Sequence, residues 1–198
     1  TNAIGANPKE SIGVGIMQAT PFGTFSALYV PNNADNGSRD SRFYQDKLGR
    51  ESAYEIGFRG NVGVKGLDVK AFVNRENAST AGALQDPSGK SFGIGYNAGD
   101  ITVGIDRQIQ KKASTENAEY KTTQYGIAYA VNKDLSLSVN KATTKSTLST
   151  STADEQWMQY GIGYNFGPVA AGISYVTVDD VGNVSTIGDL KLLNINLS

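Results

Sequence analysis

The chain has 198 residues and a net charge of −1, and it contains neither cysteine nor histidine. The near-zero charge gives no indication of nucleic-acid binding, and the missing residue types exclude disulfides, thiolate chemistry, histidine catalysis and histidine-ligated metals. No run of about 18 apolar residues is present, so no transmembrane helix is predicted. A transmembrane strand, however, needs only about 9–11 residues with an apolar side chain at every second position.

Eleven strands are predicted in chain order, because apolar residues alternate with small or polar ones along most of the sequence. The sixth, for example, sets Ile101, Val103 and Ile105 against Thr102 and Gly104. No helical periodicity appears, so the chain is predicted to be all-β, a single domain over residues 1–198. The predicted strands cover about residues 10–19, 24–30, 51–60, 67–75, 90–97, 101–110, 120–131, 135–143, 156–166, 169–178 and 190–197.

The connections between these strands alternate between short turns and long polar loops. The short turns hold about two to six residues and the long loops about ten to twenty. Long loops without secondary structure are uncommon in compact soluble domains. Short turns on one side and long loops on the other are typical of transmembrane barrels.

Aromatic side chains mark the strand ends. Four lie just before short turns and two lie just after long loops. Because aromatic rings favour the membrane–water interface, we predict a lipid-interface girdle. The alternative is that they are strand-end core residues of a soluble sheet. The six residues are Tyr96, Tyr120, Tyr129, Trp157, Tyr164 and Phe166.

Residues 124–129 (QYGIAY), residues 159–166 (QYGIGYNF) and the Gly167-Pro168 turn before the penultimate strand resemble the Gram-negative general diffusion porins. The resemblance implies an antiparallel up-and-down transmembrane β-barrel in the cell outer membrane, 16-stranded when complete. About 11 strands are present, so about five more are expected before the first. It also implies a homotrimer that contacts membrane lipid and lipopolysaccharide and passes small hydrophilic solutes and ions by diffusion. No cofactor, catalytic residue, metal site or nucleic-acid partner is expected.

If the apolar face meets lipid, the opposite face lines the pore. Small glycines on that face would leave the lumen wide. The polar side chains predicted to line the pore are Glu55, Arg59, Asp68, Lys70, Asn74, Asp106, Gln108, Asn140, Gln159 and Asn165. Under the alternative, they are only the solvent face of a sheet.

Arg107 and Lys141 fall in phase with the lipid-facing residues. Either they extend to anionic lipopolysaccharide headgroups, or a β-bulge turns them inward. Two other functions remain open from the sequence: a barrel that anchors or translocates another segment, and a soluble β-rich structural protein.

Overall fold

The computed structural model of the chain describes residues 13–30, 50–78, 86–111, 118–186 and 189–197. These residues contain eleven strands and one short 3-10 helix, Val181–Asn183. The predicted strand positions are confirmed within these ranges, although several strands extend further toward the long loops than predicted. Residues 10–12 of the first predicted strand lie outside the described residues. The strands are β1 (Val14–Thr20), β2 (Gly23–Val30), β3 (Arg50–Gly60), β4 (Leu67–Ala78), β5 (Ser88–Ala98), β6 (Ile101–Lys111), β7 (Glu119–Ala130), β8 (Leu135–Ser146), β9 (Glu155–Phe166), β10 (Val169–Asp179) and β11 (Leu190–Leu197).

All eleven strands form one antiparallel sheet in the order of the chain. The turns 21–22, 61–66, 99–100, 131–134 and 167–168 lie at one end of the sheet. Every longer connection lies at the other end, and residues of most of them fall outside the described ranges. The predicted up-and-down order with short turns at one end is therefore confirmed. A complete barrel of 16 strands, and a single domain over residues 1–198, stay predictions.

The strand register separates two faces of the sheet. Ile162 lies between Leu137 of β8 and Ile173 of β10, and Ile173 lies beside Ile195 of β11. The same parity gathers most of the aliphatic and aromatic side chains of the other strands, and we call this the apolar face. The opposite parity defines the polar face. One register shift occurs in the described ladders, between Arg50 and Ala53, so both faces are continuous elsewhere.

Burial is the reverse of that in a soluble sheet. The large side chains of the apolar face are exposed, for example Ile16 at 70%, Ile173 at 50% and Ile195 at 65%. The buried strand residues that the structure describes all lie on the polar face, among them Gly57 and Gly93. This asymmetry indicates that the sheet curves toward its polar face, where neighbouring side chains shield one another. A contiguous exposed apolar surface of this size marks contact with a membrane or another protein.

Candidate pore lining

The register brings all ten residues predicted to line the pore onto the polar face. Arg59 lies beside Lys70, and Glu55 lies beside Asn74, across the β3–β4 ladder. Asn140 lies beside Gln159 across the β8–β9 ladder. The remaining members occupy the same parity on their own strands: Asp68, Asp106, Gln108 and Asn165. That this face lines a pore stays a prediction.

An ion pair between β3 and β4 lies on this face. Arg59 Nε donates to Asp68 Oδ1 at 3.2 Å, and Arg59 Nη2 donates to Asp68 Oδ2 at 3.3 Å. Both side chains are more than half exposed. A pair this exposed contributes little to stability, so its main effect is to hold two opposite charges in place on the wall.

A second ion pair crosses an entire strand. Lys70 Nζ of β4 lies 2.7 Å from Asp106 Oδ2 of β6, and the strand between them presents Gly93. A Cβ atom at Gly93 would collide with Lys70 Cε and would lie 2.6 Å from Asp106 Oδ2. Gly93 therefore leaves the space through which the two side chains meet. The inward glycines thus do more than widen a lumen, because they let neighbouring side chains lie across the wall.

Neutral polar groups continue this surface toward β9. Thr122 and Thr144 hydroxyls lie 2.9 Å apart across β7 and β8. The Asn140 side chain lies over Gly126, where Oδ1 would be 2.5 Å from an added Cβ. Hydroxyl and amide groups of this kind offer both donors and acceptors to water and to uncharged polar solutes.

Acidic groups outnumber basic ones on the polar face of the described strands. Among the strand residues whose side chains the structure describes, five carboxylates stand against two cations there, so this part of the wall is acidic. The carboxylates are Glu55, Asp68, Glu76, Asp106 and Glu155, and the cations are Arg59 and Lys70. The residues predicted from the sequence carry charges of both signs and indicated no clear ion preference, and Glu76 and Glu155 were not among them.

The aromatic girdle needs a correction. Tyr96, Tyr129, Tyr164 and Phe166 share the apolar face, and the rings of Tyr164 and Phe166 are 4.5 Å apart. Tyr120 lies between Gln110 and Ser146, and Trp157 lies between Ala142 and Val178, all on the polar face. Placing Tyr120 and Trp157 on the same face as the other four was wrong, because each lies an odd number of positions along its strand from the apolar residues, for example Trp157 and Tyr160 in β9.

The β-bulge at Arg107 or Lys141 was also wrong. The ladders pair Phe92 with Arg107 and Tyr125 with Lys141 without a register shift. Both cations therefore lie on the apolar face, and both are exposed.

Asn183 is a residue that the sequence analysis missed. It is 2% exposed, and its Nδ2 donates to the carbonyl oxygens of Thr144 at 2.6 Å and Ala153 at 3.2 Å. Its own carbonyl oxygen accepts from the backbone NH of Thr152 at 2.9 Å. Asn183 therefore links the connection after β10 to β8 and to the connection between β8 and β9, at the long-loop end of the wall. Its φ of 64° is a left-handed backbone conformation that asparagine tolerates. This tolerance is the only indication of the role of Asn183 that its residue type gives.

Within the described ranges, no helix has the length and apolar character to span a membrane. The same part of the chain holds no cluster of three acidic, cysteine or histidine residues suited to a metal ion.

A family profile described as Gram-negative porin matches residues 18–183. The chain belongs to the Gram-negative porin family. A comparison with curated proteins gave no match. The family and the fold place this porin in the outer membrane.

Three solved structures share the fold of this porin at low sequence identity. The outer membrane channel DcaP of Acinetobacter baumannii matches 94% of the chain with a TM-score of 0.67 and 15% identity. OmpT, an outer membrane protein of Vibrio cholerae, matches 93% with a TM-score of 0.55 and 15% identity. The chain spans 61% of the length of each of these two proteins. The NanC porin matches 94% of the chain over 97% of its own length, with a TM-score of 0.55 and 11% identity.

Proposed function

We propose that this porin forms a water-filled channel through which small hydrophilic solutes and ions diffuse passively across the outer membrane. The observation that carries the proposal is the inverted sheet, whose apolar side chains are exposed while charged and amide groups cluster on the shielded face. A wall of this kind suits lipid on one side and water on the other. Family and fold point to a channel rather than to an enzyme.

The proposed assembly is a homotrimer surrounded by membrane lipid and lipopolysaccharide. Two features support contact with a bilayer: the exposed apolar face and the aromatic residues Tyr96, Tyr129, Tyr164 and Phe166 near its short-turn end. The trimer is proposed from the family alone.

Conductance of the natively isolated protein in a planar lipid bilayer tests the channel. We expect stepwise openings with ohmic conductance, and openings in groups of three for a trimer. Silence after verified insertion would contradict an open channel and would favour a barrel that anchors or translocates another segment.

We expect replacement of Glu55 by lysine to shift ion selectivity toward anions. Glu55 lies on the polar face and forms no ion pair with any residue in the described ranges. Because fixed charge on a pore wall sets local ion concentration, the cation-to-anion permeability ratio should fall by about twofold or more. Reversal potentials in a salt gradient measure this ratio. Asp100→Lys, in the short turn 99–100, makes the same charge change away from the wall and should have little effect.

A further inference from the structure

Six cations form a cluster in one sector of the apolar face. They lie on four consecutive strands, β5 to β8, toward the long-loop end. Together we call them the cationic patch, which consists of Lys90, Arg107, Lys111, Lys121, Lys141 and Lys145.

The register shows that the patch is compact. Lys90, Ile109, Lys121 and Lys145 follow one another across the four strands in a single row. Adjacent strands are about 4.8 Å apart, so this row is about 15 Å wide. Arg107 lies one row nearer the short turns and Lys141 two rows nearer. At the same end of the apolar face, β3 presents Tyr54 and β9 presents Gln156. On β4, next to the patch, Arg75 lies beside Ser88 of β5, but it already forms an ion pair with Asp86 at 2.7 Å.

The cations of the patch are only partly neutralised. Glu119 lies 2.7 Å from Lys121 and 3.9 Å from Lys111, and Asp154 lies 2.9 Å from Lys145. Lys90, Arg107 and Lys141 form no ion pair with any residue that the structure describes. Two carboxylates therefore face six cations, and three of the cations form no ion pair with a carboxylate of the described chain.

The depth of the patch places it at a lipid headgroup boundary. Arg107 follows Ile101 by six residues, which is about 20 Å along a strand and about 16 Å along the membrane normal at the usual tilt. The apolar band of such barrels is about 25 Å tall, so a long side chain at this depth can extend to the outer polar boundary. One row nearer the short turns than Arg107, Ile94 and Ile105 lie in the same row as Lys141, and the face is apolar again from the row of Ile127 onward.

We propose that the cationic patch binds the phosphate groups of a phosphorylated glycolipid of the lipid A type in the outer leaflet. The inference rests on the proposed function in one respect, namely that the apolar face meets the outer membrane with its long loops outside. Phe92 beside Arg107 and Tyr125 beside Lys141 supply an apolar floor for the acyl chains next to the charged groups. The sector β5 to β8 therefore faces lipid, and subunit contacts lie on other strands.

Titration of the natively isolated, delipidated protein with bisphosphorylated lipid A, followed by native mass spectrometry, tests the site. Because each cation near a membrane surface contributes appreciably to binding anionic lipid, Arg107→Gln/Lys141→Gln should raise the apparent Kd by about tenfold or more. The matched control is Lys65→Gln/Lys133→Gln, which removes two positive charges from the short turns and should bind like the unaltered protein.

Two further probes identify the ligand chemistry. Dephosphorylated lipid A should bind the unaltered protein weakly, and the Arg107/Lys141 substitutions should not weaken it further. Inorganic phosphate should fail to displace bisphosphorylated lipid A at equal concentration, because it lacks acyl chains. Equal affinity of the site variant and the control for bisphosphorylated lipid A would overturn the proposal. Displacement by inorganic phosphate at equal concentration would overturn the lipid as the occupant.

Conductance of the same preparations separates this proposal from the channel itself. A site variant that conducts normally and keeps its lipid affinity overturns the lipid site alone. If the unaltered protein is silent in the conductance measurement while the site variant loses its lipid affinity, the results support the site and contradict the channel.

Discussion

Ile173→Arg is expected to destabilise the folded protein in a lipid bilayer by about 2–4 kcal/mol. Ile173 lies near the middle of β10, between Ile162 and Ile195, and is half exposed on the apolar face. If that face meets hydrocarbon, an arginine there has no water and no carboxylate partner in its row. Denaturant titration of the protein refolded into lipid vesicles, followed by the fluorescence of Trp157, measures the free energy of unfolding.

Ser174→Arg provides the matched control. Ser174 is the next residue of the same strand, but it lies on the polar face between Gly161 and Asn194, where small neighbours leave room. We expect a change of less than about 1 kcal/mol there. Equal destabilisation by the two arginines would contradict the assignment of lipid and water to the two faces. A larger loss from Ser174→Arg would reverse the assignment.

The fold could be predicted because the two-residue period of a half-apolar strand is written directly in the sequence. In β9, Tyr160, Ile162 and Tyr164 alternate with Gly161 and Gly163, and the observed strand covers the residues over which this alternation extends. The alternation fails toward the long loops, where the strand ends were placed too early. The predicted end of β8 at residue 143 lies three residues short of Ser146, because hydrogen bonding to β7 continues through a stretch of polar residues.

The candidate site could be predicted in part, because parity along a strand is local but pairing between strands is not. The placement of Glu55, Asp106 and Gln159 on one face follows from parity alone. The Lys70–Asp106 contact depends on the register of three strands and on the space above Gly93, which no single segment encodes. Trp157 was assigned to the wrong face for a different reason. The prediction relied on its position just after a long loop and not on its parity, although Trp157 and Tyr160 lie an odd number of positions apart and therefore on opposite faces.

Lipid contact and subunit contact also depend on the arrangement of strands. Arg107 and Lys141 looked like two isolated exceptions in the sequence, and a bulge was an equal explanation. The register places them with Lys90, Lys121 and Lys145 in one sector, so the exceptions form a group. Three of these cations, Lys90, Arg107 and Lys141, form no ion pair in the described chain and would be costly inside a subunit interface, whereas phosphate-bearing lipid offers the missing anions.

Gly60→Ala is expected to lower the free energy of unfolding by about 3 kcal/mol, at the upper end of the usual cost of overpacking. A Cβ at Gly60 would collide with the backbone of Phe22 and Gly23, in the turn between β1 and β2. Gly23 has a φ of 151°, and a Cβ there would lie 2.6 Å from both Arg59 O and Gly60 Cα. The two glycines therefore allow backbone to meet backbone, and no side-chain rotation can relieve the collision.

Relief at Gly60 requires the first turn to move away from β3. That movement would break the hydrogen bond from the Val62 NH to the Phe22 carbonyl oxygen, now 3.0 Å, and would loosen the pairing of Thr24 with Arg59. Gly172→Ala is the control, because the nearest atom to its added Cβ is Ile162 O at 4.0 Å. We expect Gly172→Ala to be neutral or to stabilise the protein by up to about 1 kcal/mol, since alanine is favoured over glycine inside a strand. The same denaturant titration in vesicles compares the two variants. If both had the same unfolding free energy, the close approach of the first turn to β3 would not be a constraint in the folded protein.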